Sequence, residues 1–452
     1  MTKEEDTLSN STDCEIRLPH QSDKELTARF DGGKLSSDGG LLALELLDRR
    51  ERVTEELAAC VKDRRDPRYV EHDLYTLIRQ RIFQIMAGYE DCNDAGSLRS
   101  DPIFKTICGR RPDSDPDLGS QPTLSRLENQ VTRRDLVRIG RWLLERYVEK
   151  RKRERPSAIH LDIDTTDDPA HGQQQFAFFN AYYDTVLYRI LLVFDAETGE
   201  IAGVLLLAGN VSGVRQVAPL LRRIVGRLRE ALPETPISIR ADSGFEGPEL
   251  YRFCESQGVS YTIGVRPNSA FAERSAELRA QAEQARESTG EPQIEYGEFS
   301  YRCARWWARE TRRFVYKVEA RSGGDTKVFT VITNRTESAR ELRRYYEGRG
   351  QAENYIKALK NHLKADRLSC HRFLANQFRL FLHVAAYALF GALRERLQGS
   401  CWAGLEIETV RRRALKIAAQ VRETSRRIWV HFSSYYPEKE TFAQLCNQLG
   451  KT

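Results

Sequence analysis

Residues 158–168 read AIHLDIDTTDD, and their pattern decides the fold. Ile159, Leu161 and Ile163 alternate with His160, Asp162 and Asp164, the period of a strand with one buried face. Two further apolar strands follow, VLYRILLVFD (186–195) and IAGVLLLAG (201–209), and the turn AETGE around Gly199 makes them a hairpin. Ser212 is placed to cap a helix that turns Val217, Leu220, Leu221, Ile224, Val225 and Leu228 inward and Arg222, Arg223, Arg227 and Arg229 outward. The strand ISIRAD (237–242), the helix GPELYRFCESQG (247–258) and the strand YTIGV (261–265) complete the order β-β-β-α-β-α-β.

Three strands opening with a hairpin, then alternating helix and strand, form the topology of a ribonuclease-H-like α/β sheet with flanking helices. The reading divides the chain further. Residues 1–28 carry three bases against seven acids and little to bury, and are expected to be disordered. Residues 29–155 show helical periodicity and form an expected helical DNA-binding domain, closed by the basic run EKRKRERP (149–156), read as a solvated linker or a phosphate contact. The catalytic sheet occupies 156–266 and 336–400, interrupted by a β-rich insertion at 267–335. The run FLHVAAYALFGAL (381–393) is too short for a bilayer span and reads as a buried core helix against the sheet. Residues 401–452 form a basic C-terminal extension, expected as a helix running into a strand.

Composition narrows the function. A 452-residue chain of net charge +6 permits nucleic-acid binding without proving it. No basic start or apolar h-region marks a secretory signal, and nine cysteines without a C-x-x-C pair suit reduced thiols, so a cytoplasmic location is expected. Three acids stand out. Asp164 is read at the end of the first strand, Asp242 ends the fourth, and Glu353 lies on the helix after the insertion. In this sheet order strands one and four are neighbours, so their terminal carboxylates converge and the late helix can bring the third. Carboxylate oxygens suit hard divalent ions. Asp162 shares the strand face of Asp164, and alternation alone does not separate the two.

The phrases LDIDTT, RADSGF and YEGRGQAENYIKALK resemble the catalytic motifs of DDE transposases of bacterial insertion sequences, in the branch with a Tyr-Arg-Glu-Lys signature. NDAGSLRSDPIF and SQPTLSRLEN extend the similarity, most closely to the insertion-sequence group numbered thirteen-eighty, from about Phe30 to Pro437. The resemblance implies that Asp164, Asp242 and Glu353 bind two Mg²⁺ or Mn²⁺ ions and that Tyr346, Arg349 and Lys360 contact DNA phosphates. It also implies a homodimer on DNA acting on terminal inverted repeats and target DNA by cut-and-paste transposition. Trp306 and Trp307 of the insertion are candidates to stack on an extruded base, and the PTLSRLEN helix is a candidate base reader. A ribonuclease-H-like nuclease or resolvase, and a non-catalytic DNA-binding descendant, are the alternatives. Gly348 and Gly350 each cost a helix interior about 1 kcal/mol relative to Ala, so the helix carrying the signature is expected to bend there. Only Glu353 and Lys360 are then expected to share one face.

Overall fold

The structure, a computed structural model, describes residues 16–18, 24, 26–211, 213–302 and 310–450. Within the acidic leader, Ile16–Leu18 pairs antiparallel with Leu26–Ala28. The helical region follows, including α1 (Leu41–Glu51), α2 (Leu74–Ala87), α3 (Gln121–Gln130) and α4 (Arg133–Glu154). Sequence chemistry sets their ends. The Asp73 side chain accepts from Thr76 N at the start of α2, Gly88 closes it at φ +93°, and Thr132 and Asp135 form a capping box for α4.

Residues 149–154 of the basic run are not a linker but the end of α4, where cations suit the negative helix end, and Lys152, Arg153 and Arg155 stay exposed. Arg151 is buried there and pairs with Glu200 at 3.4 Å, and Lys150 pairs with Glu200 at 3.0 Å. These pairs dock α4 onto the hairpin turn at Gly199. Helix α3, which carries PTLSRLEN, buries Leu124, Leu127 and Glu128 and leaves Pro122 and Arg126 exposed.

The strands β1 (Ile159–Pro169), β2 (Phe178–Asn180), β3 (Thr185–Asp195), β4 (Ile201–Ala208), β5 (Ile237–Ala241) and β6 (Ser260–Val265) build one side of a single nine-stranded sheet. The insertion supplies β7 (Gln293–Tyr301), β8 (Arg312–Ala320) and β9 (Thr326–Thr333). The order is β7-β8-β9-β6-β5-β1-β3-β2, and β4 also pairs with β3. β1, β5 and β6 run parallel, whereas β3 is antiparallel to both β1 and β4. The insertion therefore continues the sheet through the antiparallel pair β9·β6. The helices α5 (Gly213–Ala231), α6 (Pro248–Ser256) and α7 (Ser269–Thr289) connect these strands, and Ser212, expected to cap α5, lies outside the described residues.

Each sheet face has its own core. Ile159, Leu161 and Ile163 pack with Val217, Leu221, Ile224 and Leu228 of α5. On the other face Ile190, Leu192 and Phe194 share a cluster with Phe378, Leu382 and Phe390 of α10 (Phe373–Arg396) and with Leu44 and Ile78 of the N-terminal helices. Helix α10 is thus enclosed between the sheet and α1 and α2, which explains a run apolar nearly all round.

The basic C-terminal run departs from the expected helix. One short turn, Ile407–Val410, leads into a π turn, and the chain leaves as strands β10 (Ala419–Glu423) and β11 (Ile428–Phe432), with Leu35–Ser36 on the free edge of β10. Two features stop the helix. Arg411 is buried, donating through Nε to Met86 O (2.8 Å) and through Nη2 to His362 O (2.6 Å), and the glycine backbone at 39–40 packs directly against residues 414–417.

Candidate active site

Strand β1 does not stop at Asp164. It runs to Pro169 because its second half still pairs with β3, Thr165 opposite Leu191 and Pro169 opposite Leu187. The parallel ladder with β5 ends sooner, at Ile163 opposite Ala241. One residue further on, Asp164 and Asp242 leave that ladder as neighbours. Asp242 then caps a short turn, its Oδ1 accepting from Gly244 N at 2.9 Å. Asp164 is 9% exposed, and burial raises its carboxyl to about 6, with the charge of Asp242 adding and Arg349 opposing.

The signature stretch approaches from α8 (Ala339–Glu347) and α9 (Gly350–Lys357). The expected bend is a tight right-handed turn. Gly348 and Arg349 keep helical dihedrals, while Arg349 N donates to Tyr346 O and Ala352 N to Arg349 O, both at 2.9 Å and both three residues back. This turn aims Arg349 between two acids. Its Nη1 lies 3.0 Å from Asp164 Oδ2 and its Nη2 lies 3.5 Å from Glu353 Oε1. Tyr346 donates to Ala241 O at 3.3 Å, in space that exists because residue 264 is glycine: a Cβ there would sit 2.5 Å from the tyrosine oxygen.

Glu353 and Lys360 both line the groove, although after Lys357 the helix widens into a π turn over Ala358–His362, which loosens the 3.6-residue register. Lys360 Nζ reaches β1, at 2.9 Å from Asp167 O, 3.1 Å from Asp167 Oδ1 and 3.2 Å from Thr166 Oγ1. Glu353 remains exposed. Asp164, Thr166, Asp167, Glu353, Lys357 and Lys360 line one open groove of about 350 Å³. Asp167 and Asp168 belong to β1. Asp168 is fully buried, and burial, aided by the Asp366 charge, raises its carboxyl to about 9. Trp306 and Trp307 lie outside the described residues.

Asp162 has a different setting. It is fully buried, and both its oxygens are taken by Arg240, Nε at 2.7 Å and Nη2 at 2.8 Å. The remaining nitrogen, Nη1, donates to Tyr345 O at 2.6 Å, at the C-terminal end of α8. Gly348 makes room for this arginine, since a Cβ there would lie 2.6 Å from Nη1. Arg240 therefore ties β1, β5 and the α8–α9 joint together. The sequence contained a signal for it: if Asp164 faces Asp242 across a parallel ladder, Asp162 faces Arg240 two residues earlier, as the register shows.

Among the described residues no three His, Cys, Asp or Glu side chains converge closely enough to ligate an ion. The donor chemistry nevertheless fits a hard divalent cation. Asp164 and Asp242 offer oxygens only, and the Asp242 charge penalises that of Asp164, a repulsion that a cation relieves. Arg349 supplies positive charge at that place.

No curated protein matches the chain. Among solved structures, the cryo-EM structure of a piggyBac transposase synaptic complex with hairpin DNA is similar at 12% identity and a TM-score of 0.42, over 84% of this chain and 79% of that one. The family model described as Transposase DDE domain group 1 matches residues 18–452, and the chain belongs to that family.

Proposed function

We propose that this DDE-family protein is the transposase of a bacterial insertion sequence, in the Tyr-Arg-Glu-Lys branch, which binds the element's terminal inverted repeats and carries out cut-and-paste transposition in the cytoplasm. One observation carries the reading: Asp164 and Asp242 emerge side by side where the β1·β5 ladder ends, and Arg349 joins Asp164 to Glu353. The strand order β4-β3-β1-β5-β6 with only β3 reversed supports a ribonuclease-H-like catalytic sheet.

In this reading Asp164, Asp242 and Glu353 would hold two Mg²⁺ or Mn²⁺ ions, which would supply Lewis acidity to a water or 3′-hydroxyl and to the leaving oxygen of an in-line phosphoryl displacement. The chain's own residues do the rest. Arg349 offers a guanidinium fork to a phosphate oxygen, and Lys360 a point charge further along the same helical segment. Tyr346, fixed against the end of β5, orients the phosphodiester between them. Asp162 stays out of the chemistry because Arg240 occupies both its oxygens. Because two DNA ends must meet, the protein acts as a homodimer on DNA.

The test is excision in vitro from a plasmid carrying the element's ends, in Mg²⁺ or Mn²⁺. Glu353→Gln is expected to abolish strand cleavage while end binding survives; undiminished cleavage would remove Glu353 from the site. A strand-transfer assay separates a transposase from a nuclease that only hydrolyses.

A further inference from the structure

Between β1 and β3 the chain makes a small hairpin whose sequence, FAFFNAYY (176–183), holds five aromatic residues in eight positions. Most of these rings face solvent. Phe179 is 58% exposed and Tyr182 87% exposed, and Val186, directly opposite Phe179 across β2·β3, is exposed as well. The hairpin is braced. Tyr182 N donates to Asn180 Oδ1 (3.1 Å), Tyr183 N to Asn180 O (3.2 Å), and Asn180 Nδ2 to Gly209 O (3.0 Å), which pins the turn to the end of β4. Tyr182 and Tyr183 meet edge to face with centroids 4.8 Å apart. An aromatic side chain held out on a rigid turn has already lost much of the entropy that binding would cost it.

The position of the hairpin selects its partner. Tyr183 lines the same groove as Asp164, Glu353, Lys357 and Lys360, so the exposed rings continue the candidate active site outward. Charge divides across this groove. Residues 176–186 carry one acid, Asp184, and no base, whereas Lys357 and Lys360 stand on the facing helix. Neutral rings on one wall and ammonium groups on the other match the two halves of a nucleotide, an apolar base face and its phosphate.

We infer that the 176–183 hairpin is a stacking platform for an unpaired DNA base next to the scissile phosphate. The inference rests on the proposed transposase reading and adds a base-binding surface to it. Tyr182 and Phe179 supply the π faces, and Tyr183 supports Tyr182 from the groove side.

The test uses the full-length protein and two fluorescent probes of equal duplex length, one blunt and one with a short single-stranded 3′ overhang carrying 2-aminopurine. The wild type is expected to prefer the overhang by roughly tenfold or more, the scale of one base stacking on an aromatic ring, and to quench the 2-aminopurine. Tyr182→Ala and Phe179→Ala remove the preference and the quenching while blunt-duplex affinity stays within about twofold, and Tyr182→Phe restores both. Because both positions are exposed, neither truncation empties a core. A wild type that binds and cleaves DNA without preferring the overhang, or alanine variants that keep the preference, would overturn the platform and leave the transposase reading intact. Loss of self-association in Tyr182→Ala with DNA binding unchanged would assign the face to a second copy of the chain and overturn it too. A wild type that binds neither probe would overturn both readings.

Discussion

Asp162 and Asp164 lie two residues apart on one face of one strand, and each faces an arginine, yet the two pairs have opposite characters. Asp162–Arg240 is a closed pair: both partners are buried and both carboxylate oxygens are bonded. Asp164–Arg349 is an open pair at the groove, where only Oδ2 meets the guanidinium, and Oδ1 accepts from Thr165 N at 2.8 Å. A carboxylate whose valences are filled by one buried side chain is fixed in place, whereas one with a single side-chain bond at the edge of a groove can exchange that partner for a substrate or an ion. The parallel ladder makes the difference: Asp162 has Arg240 as its neighbour on β5, and Asp164 lies just past the last paired residue.

The comparison breaks most sharply under substitution. Asp162→Ala leaves Arg240 buried without its carboxylate and is expected to cost about 3–5 kcal/mol of stability, the scale for removing one partner of a buried pair. Asp164→Ala removes a carboxylate whose charge burial already penalises, and frees Arg349 to turn toward the exposed Glu353, so it is expected to cost less, about 1 kcal/mol. Urea unfolding of the two variants measures the contrast, and equal losses would mean that Asp164 is as structural as Asp162.

A third carboxyl on the same strand face, Asp168, extends the series to pH. Its folded pKa of about 9 lies above the ordinary 3.8, so between those values the folded chain keeps a proton that the unfolded chain has released. Stability therefore falls as pH rises through that window, by up to about 1.4 kcal/mol per pH unit from this one group, and is insensitive to it below the window. Asp168→Asn, uncharged at every pH, is expected to flatten the fall in thermal unfolding followed across that range. An unchanged slope would show that Asp168 is ionised in the folded protein.

The same ladder explains how much was legible in the sequence. The alternation at 158–164 and the hairpin at Gly199 follow from hydrophobic period and turn chemistry, and both are present. The candidate acids were legible because a strand order places them. The difference between Asp162 and Asp164 was not legible in alternation alone, because it depends on which residue of a separate strand lies opposite. The C-terminal run 411–421 misled for a related reason: Ala and Arg favour a helix locally, but burial of Arg411 against Met86 O and the close approach of Gly39 and Gly40 are tertiary facts that override propensity. The aromatic hairpin passed unnoticed because strand patterning asks which residues are buried, and its distinguishing feature is that they are not.

The smallest effects separate the two glycines of the signature stretch, which look alike in sequence. Gly348 is needed by the closed pair, because a methyl group would press on Arg240 Nη1, which Asp162 and Tyr345 O hold in place. Gly348→Ala is expected to cost about 1–3 kcal/mol, the range for overpacking a fitted site. A Cβ at Gly350 meets nothing within 4 Å, and its position opens α9. Gly350→Ala is therefore expected to stabilise the chain by up to about 1 kcal/mol through the lost freedom of the unfolded state. If thermal unfolding instead finds both alanines favourable, Arg240 can yield, and the joint that aims Arg349 at Asp164 is held by the helices alone.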